Sequence, residues 1–313
     1  MKLSIFVGID GSLPSRAAVA WAIRRAATTG STLHLIHVVD DEWGAVSQDM
    51  LQEVHGAATQ LVEGEVEFAR SLDPSITIGT RLLWGDPMIE LAEASADAGL
   101  LVVGTHKTGF LRGKAFGSRS LQLAAAAHSP VAIVPELSAS SRRGIVVGVD
   151  DSAAGWAAVR FAAAEAGRTG QDLTLVRGWR LPSLHAESED LAFDHEAHVH
   201  AAVERMMATA LEIVKEISPE TAVRSRSMRR TPAEALLDAS VAADLLVVGS
   251  SRRHGIAQSA LGPVSHDVLV NLGGPTIVVH GESKGSQSPS ASPADNDLTL
   301  SATSDVSQNG SNA

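Results

Sequence analysis

Residues 100–118 read LLVVGTHKTGFLRGKAFGS, and residues 245–263 read LLVVGSSRRHGIAQSALGP. In each stretch a run of Leu and Val stops at a glycine, and a second glycine follows thirteen residues later, where a segment of helical period begins. An apolar run this short, closed by glycine, has the pattern of a strand covered on both faces. Gly104 and Gly249, Gly117 and Gly262, and Pro130 and Pro275 all stand 145 residues apart. Upstream, VGIDGS at 7–12 returns as VGVDDS at 147–152, at a spacing of 140. Two spacings, each shared by several pairs, identify an internal duplication interrupted by a small insertion.

The duplication divides the chain into domains at 1–137 and 144–281, separated by a short Ser/Arg stretch, and the 313 residues have room for two domains of this size. After them, 282–313 is rich in Ser, Gly, Asn, Asp and Pro and poor in large apolar side chains, so it is expected to be a disordered tail. The absence of cysteine excludes a disulfide framework and thiolate-held zinc, which makes the cytoplasm the expected compartment. No apolar run approaches the roughly 20 residues of a membrane span, and MKLSIFVGID runs straight into the first repeat rather than reading as a signal peptide. A net charge of −11 with no basic stripe argues against nucleic acid as a partner. A nucleotide held by backbone amides is untouched by that argument.

Short Val/Ile/Leu runs alternate with longer Ala-rich segments of helical period, the pattern of a parallel sheet with helices on both faces. The expected fold is therefore α/β, with two tandem doubly wound five-stranded parallel sheets of order 3-2-1-4-5. First-half strands are expected at 3–9, 32–39, 76–83, 100–104 and 131–134, and the second half runs from a strand at 145–149 to one at 276–279. Ser12 or Ser15 can cap the first helix, with Pro14 in its first turn, and Pro87 opens the third after Gly85-Asp86. In such sheets a ligand sits beyond the carboxyl ends of the strands where the winding reverses, here between strands 1 and 4. Asp10, just after Gly8, closes the first of these strands and Gly104 the fourth.

The chemistry at that point suits a nucleotide. A glycine after a strand allows close backbone approach. At the helix start near Gly117-Ser118, free amides and the positive end of the dipole favour phosphate. Asp10 can accept from a sugar or base, and the backbone near Val38 can read an adenine edge. His37 lies beside Val38, and His106 and Lys107 lie in the glycine loop, where His106 can donate to phosphate. Arg112, Lys114 and Arg119 make this loop basic, as Arg252 and Arg253 do the second. Plainer readings stand beside these: Gly104 and Gly249 as tight turns, Ser118 and Asp10 as helix caps, and His106 as an exposed loop residue. Asp194, His195, His198 and His200 resemble a metal cluster but also fit the solvated face of a helix. Trp21, Trp84, Trp156 and Trp179 are expected in or beside cores.

On Asp10, Val38, Gly104, Gly117 and Ser118, and on their repetition, residues 1–281 resemble the tandem type of the universal stress protein family. The resemblance implies a loop of the form G-x2-G-x9-G-[ST] after strand 4 that binds ATP, with Mg2+ as a possible companion, and an intrachain pairing of the two domains. The middle glycine is Lys107 here, whose amide remains and whose ammonium can pair with phosphate. In the second half Asp150, Gly249 and Gly262 persist, whereas Arg252 and Pro263 replace the middle glycine and the Ser/Thr. Proline removes a hydroxyl and an amide donor from the helix start. Gly85-Asp86-Pro87 becomes Arg230-Thr231-Pro232, and Val38 corresponds to Gly178, so the first half is the expected better binder.

No P-loop, HExxH or Ser-His-Asp order emerges, so binding is expected with at most slow turnover. The implied role is a nucleotide-responsive stress regulator with an unknown protein partner and a possible homodimer. A scaffold without nucleotide and a slow ATPase or self-phosphorylating enzyme are the alternatives. The last strands are sheet edges that need cover, and their pairing would join the halves.

Overall fold

The structure, a computed structural model, describes residues 4–41, 47–106, 118–136, 142–180, 189–251 and 261–281, and only the backbone at Ser118 and at 189–195. Lys107, Arg112, Lys114, Gly117, Arg252, Arg253 and the tail 282–313 lie outside the described residues.

The first half runs β1 (Ser4–Gly8), α1 (Leu13–Thr29), β2 (Thr32–Val39), α2 (Gln48–Leu72), β3 (Ile78–Trp84), α3 (Pro87–Ala94), β4 (Leu100–Thr105), α4 (Ser118–Ala126) and β5 (Val131–Pro135). The second repeats it as β6 (Ile145–Gly148), α5 (Ala153–Thr169), β7 (Leu173–Gly178), α6 (Glu189–Ile217), β8 (Val223–Met228), α7 (Pro232–Ser240), β9 (Leu245–Ser250), α8 (Pro263–Val270) and β10 (Thr276–His280). Ser12 caps α1 by accepting from the Ser15 amide, and Ser152 does the same for α5 with Gly155. Both helices end on a left-handed glycine, Gly30 at φ 65° and Gly170 at φ 63°, a conformation that needs no Cβ.

Within each half the strands are parallel in the predicted order 3-2-1-4-5. The two last strands, β5 and β10, meet antiparallel, with Thr276 opposite Ile133 and Val278 opposite Val131, so the halves share one ten-stranded sheet. Each edge strand thereby satisfies the other's unpaired main-chain groups. Strand alternation sends Ile5 and Val7 to one face and Phe6 to the other, and the core cluster on each face draws residues from both halves. The exposed outer strand β8 carries Arg224 and Arg226, charges that discourage edge-to-edge association. Among the described residues no helix is long and apolar enough to cross a membrane.

On one face α1 packs against α5 across the seam. There Arg25 pairs with Glu165, the residue 140 positions later and thus its own copy in the duplication. Both side chains are almost fully buried, and Glu165 also accepts from Arg168 at 3.1 Å. The Arg25 guanidinium lies 5.6 Å from the Trp21 ring and 5.9 Å from the ring of Phe161, again its repeat counterpart. Burial, with Arg168 adding to it, pushes Arg25 down to about 9, so it remains charged at neutral pH. A two-fold pairing of identical halves would bring like residues together at such a position. Arg opposite Glu makes each half complementary to the other and not to itself.

Candidate functional site

At the point where the winding reverses, the carboxyl ends of β1 and β4 open onto a cavity of about 310 Å3 lined by Asp10, Ser12, His37, Val38, Gly104 and Arg119 among others. This lies at the lower end of the size range of small-molecule sites. Met88 and Leu91 of α3 supply an apolar wall. Asp86 holds α3 in place by accepting from the amides of Met88 at 2.7 Å and Ile89 at 3.0 Å.

Asp10 combines two of its expected roles. One carboxylate oxygen accepts from the Ser12 amide at 3.0 Å, shaping the turn into α1, while its amide donates to the Ser15 hydroxyl at 3.3 Å. The residue is exposed at the cavity, so its second oxygen remains open to a ligand donor. His37 Nδ1 stands 2.8 Å from the Ile9 carbonyl. That ring nitrogen must donate, which leaves Nε2 of the neutral ring as an acceptor.

Gly104, which lines the cavity, also has a packing reason that was not expected. A Cβ there would overlap the Pro14 carbonyl and stand 2.6 Å from the Ser15 nitrogen. The close approach that glycine permits is to the first turn of α1, which seats that helix start beside the cavity. Gly249 repeats the arrangement, with Ala154 backbone atoms 2.5 Å from the Cβ it lacks. Gly8 faces Leu91 and Val103 side chains, both 3.2 Å from a would-be Cβ. His106 is exposed just past β4 and is not among the cavity-lining residues. Ser118 begins α4 as expected. The wall from α3 was not anticipated, although the Gly85-Asp86-Pro87 turn was its signal.

The second-half crevice is smaller, about 70 Å3, and the causes are individual residues. Gly178 stands where the first half has Val38, and a Cβ on it would lie 2.7 Å from Pro232 Cα, so the start of α7 presses onto the end of β7. Thr231 and Glu234 fix that start with a reciprocal capping box. Arg177 takes the place of His37 and donates to the Val149 carbonyl at 3.1 Å. One Asp150 carboxylate oxygen accepts both from the Ser152 amide at 2.9 Å and from its hydroxyl at 2.5 Å. It occupies the space beside Gly155, which stands where the first half has Ser15. The Gly262 amide, a potential phosphate donor, is already given to the Ser250 hydroxyl at 3.2 Å.

Among the described residues no group of three His, Cys, Asp or Glu side chains could hold a metal ion. His200 pairs with Glu204 at 3.3 Å and lies edge-on to Trp179, while the side chains of Asp194 and His195 lie outside the described residues. Trp21 is buried in the core, Trp156 packs against it, and Trp84 stacks on His55 with ring centroids 6.2 Å apart.

The model of the universal stress protein family matches the chain twice, at residues 2–135 and 141–280. Universal stress protein Rv1996 of Mycobacterium tuberculosis is 31% identical over 300 residues, covering 88% of this chain and 95% of its own. Universal stress protein Rv2623 of the same organism is 31% identical over 291 residues, with 88% and 96% covered. A universal stress protein from Archaeoglobus fulgidus superposes with a TM-score of 0.69 at 18% identity, covering 89% of this chain and 98% of that one, a likeness of fold. The chain belongs to the universal stress protein family and carries the family's domain twice.

Proposed function

We propose that the first-half crevice binds an adenine nucleotide, ATP above others, and that its occupancy makes the protein a nucleotide-responsive regulator in the cytoplasm. The observation that carries this reading is the contrast between duplicated sites. At the same topological position one half keeps a cavity of about 310 Å3 with Asp10, His37 and Val38 around it, and the other retains about 70 Å3. In the bound state the free Asp10 oxygen accepts from a ribose hydroxyl. The adenine edge meets the main chain near Val38, with Met88 and Leu91 against its face. Arg119, in the first turn of α4, is the described cation nearest in sequence to the 104–118 loop and meets the phosphates. Mg2+, if it accompanied the nucleotide, would supply charge neutralisation at the phosphates, and none of these residues is assigned to hold it.

Calorimetry with ATP and with AMP tests the reading. One site per chain is expected. Asp10→Ala removes a charged acceptor, a loss of roughly 1.5–3 kcal/mol, or about tenfold or more in affinity. Asp150→Ala, its counterpart, leaves affinity and stoichiometry unchanged. Asp10→Asn, which still offers an oxygen to the Ser12 amide, separates loss of binding from a disturbed turn. Affinity unchanged from the parent in both Asp10 variants would remove the assignment, and absence of any nucleotide binding would favour a scaffold role.

A further inference from the structure

A cavity larger than the crevice between β1 and β4 lies elsewhere in the molecule. It opens at the opposite ends of the strands, where the end of α1 from the first half faces the beginnings of β6 and β9 from the second, and encloses about 710 Å3. Five arginines line it: Arg24 and Arg25 from α1, Arg142 and Arg143 just before β6, and Arg224 from β8. They face three carboxylates, those of Glu165, Asp172 and Asp244. Glu165 is committed to Arg25 and Arg168, Asp172 lies 3.8 Å from Arg224, and Asp244 accepts from Gln171 at 3.0 Å. Arg142 is held over the Gly273 carbonyl at 2.9 Å. Arg24 and Arg143 are exposed, and no carboxylate among the described residues pairs with either.

The helices α1 and α5 both end at this side of the sheet, and cations near helix C-termini are a common complement to the dipole. The duplication supplies a control for that explanation. On the other side of the Arg25–Glu165 pair lies a second cleft, built from the corresponding residues Ile5, Thr29, Ser31, Gly99 and Leu100, with about 200 Å3. It contains the equivalent helix end. Ala164, the counterpart of Arg24, lines it, and in the repeat Leu3 and Gly79 correspond in sequence to Arg143 and Arg224. The smaller cleft keeps two arginines, Arg25 and Arg168, the latter in the last turn of α5 as a helix-end cation would be. That explanation does not reach Arg142 and Arg143, which precede β6, or Arg224 on β8, and these line only the larger cavity.

From this asymmetry we infer that the seam cavity is a second ligand site, for a small multivalent oxyanion such as a phosphorylated or polycarboxylated metabolite. Guanidinium groups match such ligands through paired N–H donors. A pocket of several hundred Å3 at an interface between domains is a common setting for a small molecule. Arg24 comes from one half and Arg142, Arg143 and Arg224 from the other, so the bound anion would bridge the halves and stabilise the folded chain by mass action. The inference does not depend on the nucleotide reading, because the two sites share no residue.

Thermal melting of the full chain with pyrophosphate and, separately, with citrate tests it, each against sodium chloride at equal ionic strength. A saturable rise in midpoint is expected beyond the chloride control. Preference for pyrophosphate over citrate assigns a phosphate ligand, and the reverse a carboxylate one. Arg24→Ala/Arg143→Ala, which removes two exposed side chains, should leave the ligand-free midpoint unchanged and lower the anion affinity about tenfold or more, as expected for lost charge-assisted contacts. Asp10→Ala should leave the anion response intact. An anion response equal in the double variant and the parent, or none beyond chloride, would overturn the inference.

Discussion

Glu165→Ala will lower the stability of the folded chain by about 3–5 kcal/mol, because it leaves the buried Arg25 guanidinium without its carboxylate. Glu165 is 2% exposed and Arg25 8%, so water cannot replace the lost partner without opening the seam. Arg25→Ala should cost less, since Glu165 keeps Arg168 at 3.1 Å. Replacing both members by apolar residues of similar volume, Arg25→Met with Glu165→Leu, should bring stability back near that of the parent, because neither desolvated charge then remains. The exchange Arg25→Glu with Glu165→Arg should recover only part. The new arginine would face Arg168 one turn away, whereas the counterpart of Arg168 in α1 is the neutral Thr28. Urea denaturation of the five proteins measures this. A Glu165→Ala variant within about 1 kcal/mol of the parent, the range of an exposed pair, would show that the ion pair does not hold the seam.

Gly104→Ala and Gly249→Ala should each destabilise the fold by about 1–3 kcal/mol, the usual cost of forcing a group into packed space. The obstacle in both cases is main chain, of Pro14 in one half and Ala154 in the other, and neither can yield by a rotamer change. The functional consequences should differ. Gly104→Ala displaces the start of α1, and with it the Asp10 turn beside the larger cavity, so ATP affinity should fall together with stability. Gly249→Ala disturbs the smaller crevice and should leave ATP affinity unaltered. Paired melting and calorimetry read both effects. A large stability loss in one glycine variant and none in the other would refute the shared packing origin, while equal losses of affinity would refute the unequal roles of the crevices.

The duplication, strand order and crevice position were legible because each follows from local pattern. Apolar runs closed by glycine mark buried strands, and the reversal of winding then sets the crevice between β1 and β4 whatever the side chains are. Asp10 was legible for the same reason, as the residue closing β1. The packing reason for Gly104 was not. Glycine in a sequence announces a missing side chain, but the neighbour that needs the space, here Pro14, is known only after α1 packs on β4. The wall from Met88 and Leu91 escaped the reading because α3 reaches the cavity through folding and carries no polar motif.

The difference between the halves divides in the same way. Gly178 in place of Val38 and Pro263 in place of Ser118 marked the second half from sequence alone as the less equipped, and its crevice is the smaller of the two. That α7 closes onto Gly178, and that Asp150 turns back over Gly155 toward Ser152, depends on contacts between residues distant in the chain. The seam is the clearest case. Arg25 and Glu165 are ordinary charged helix residues at a spacing of 140, and only the antiparallel meeting of β5 with β10 brings these copies together in a place without water. Sequence determined the repeated architecture, because periodicity and turn chemistry act over a few residues. Tertiary structure decided which cavities exist and which charges are buried, because volume and dielectric belong to the packed chain and not to any segment of it.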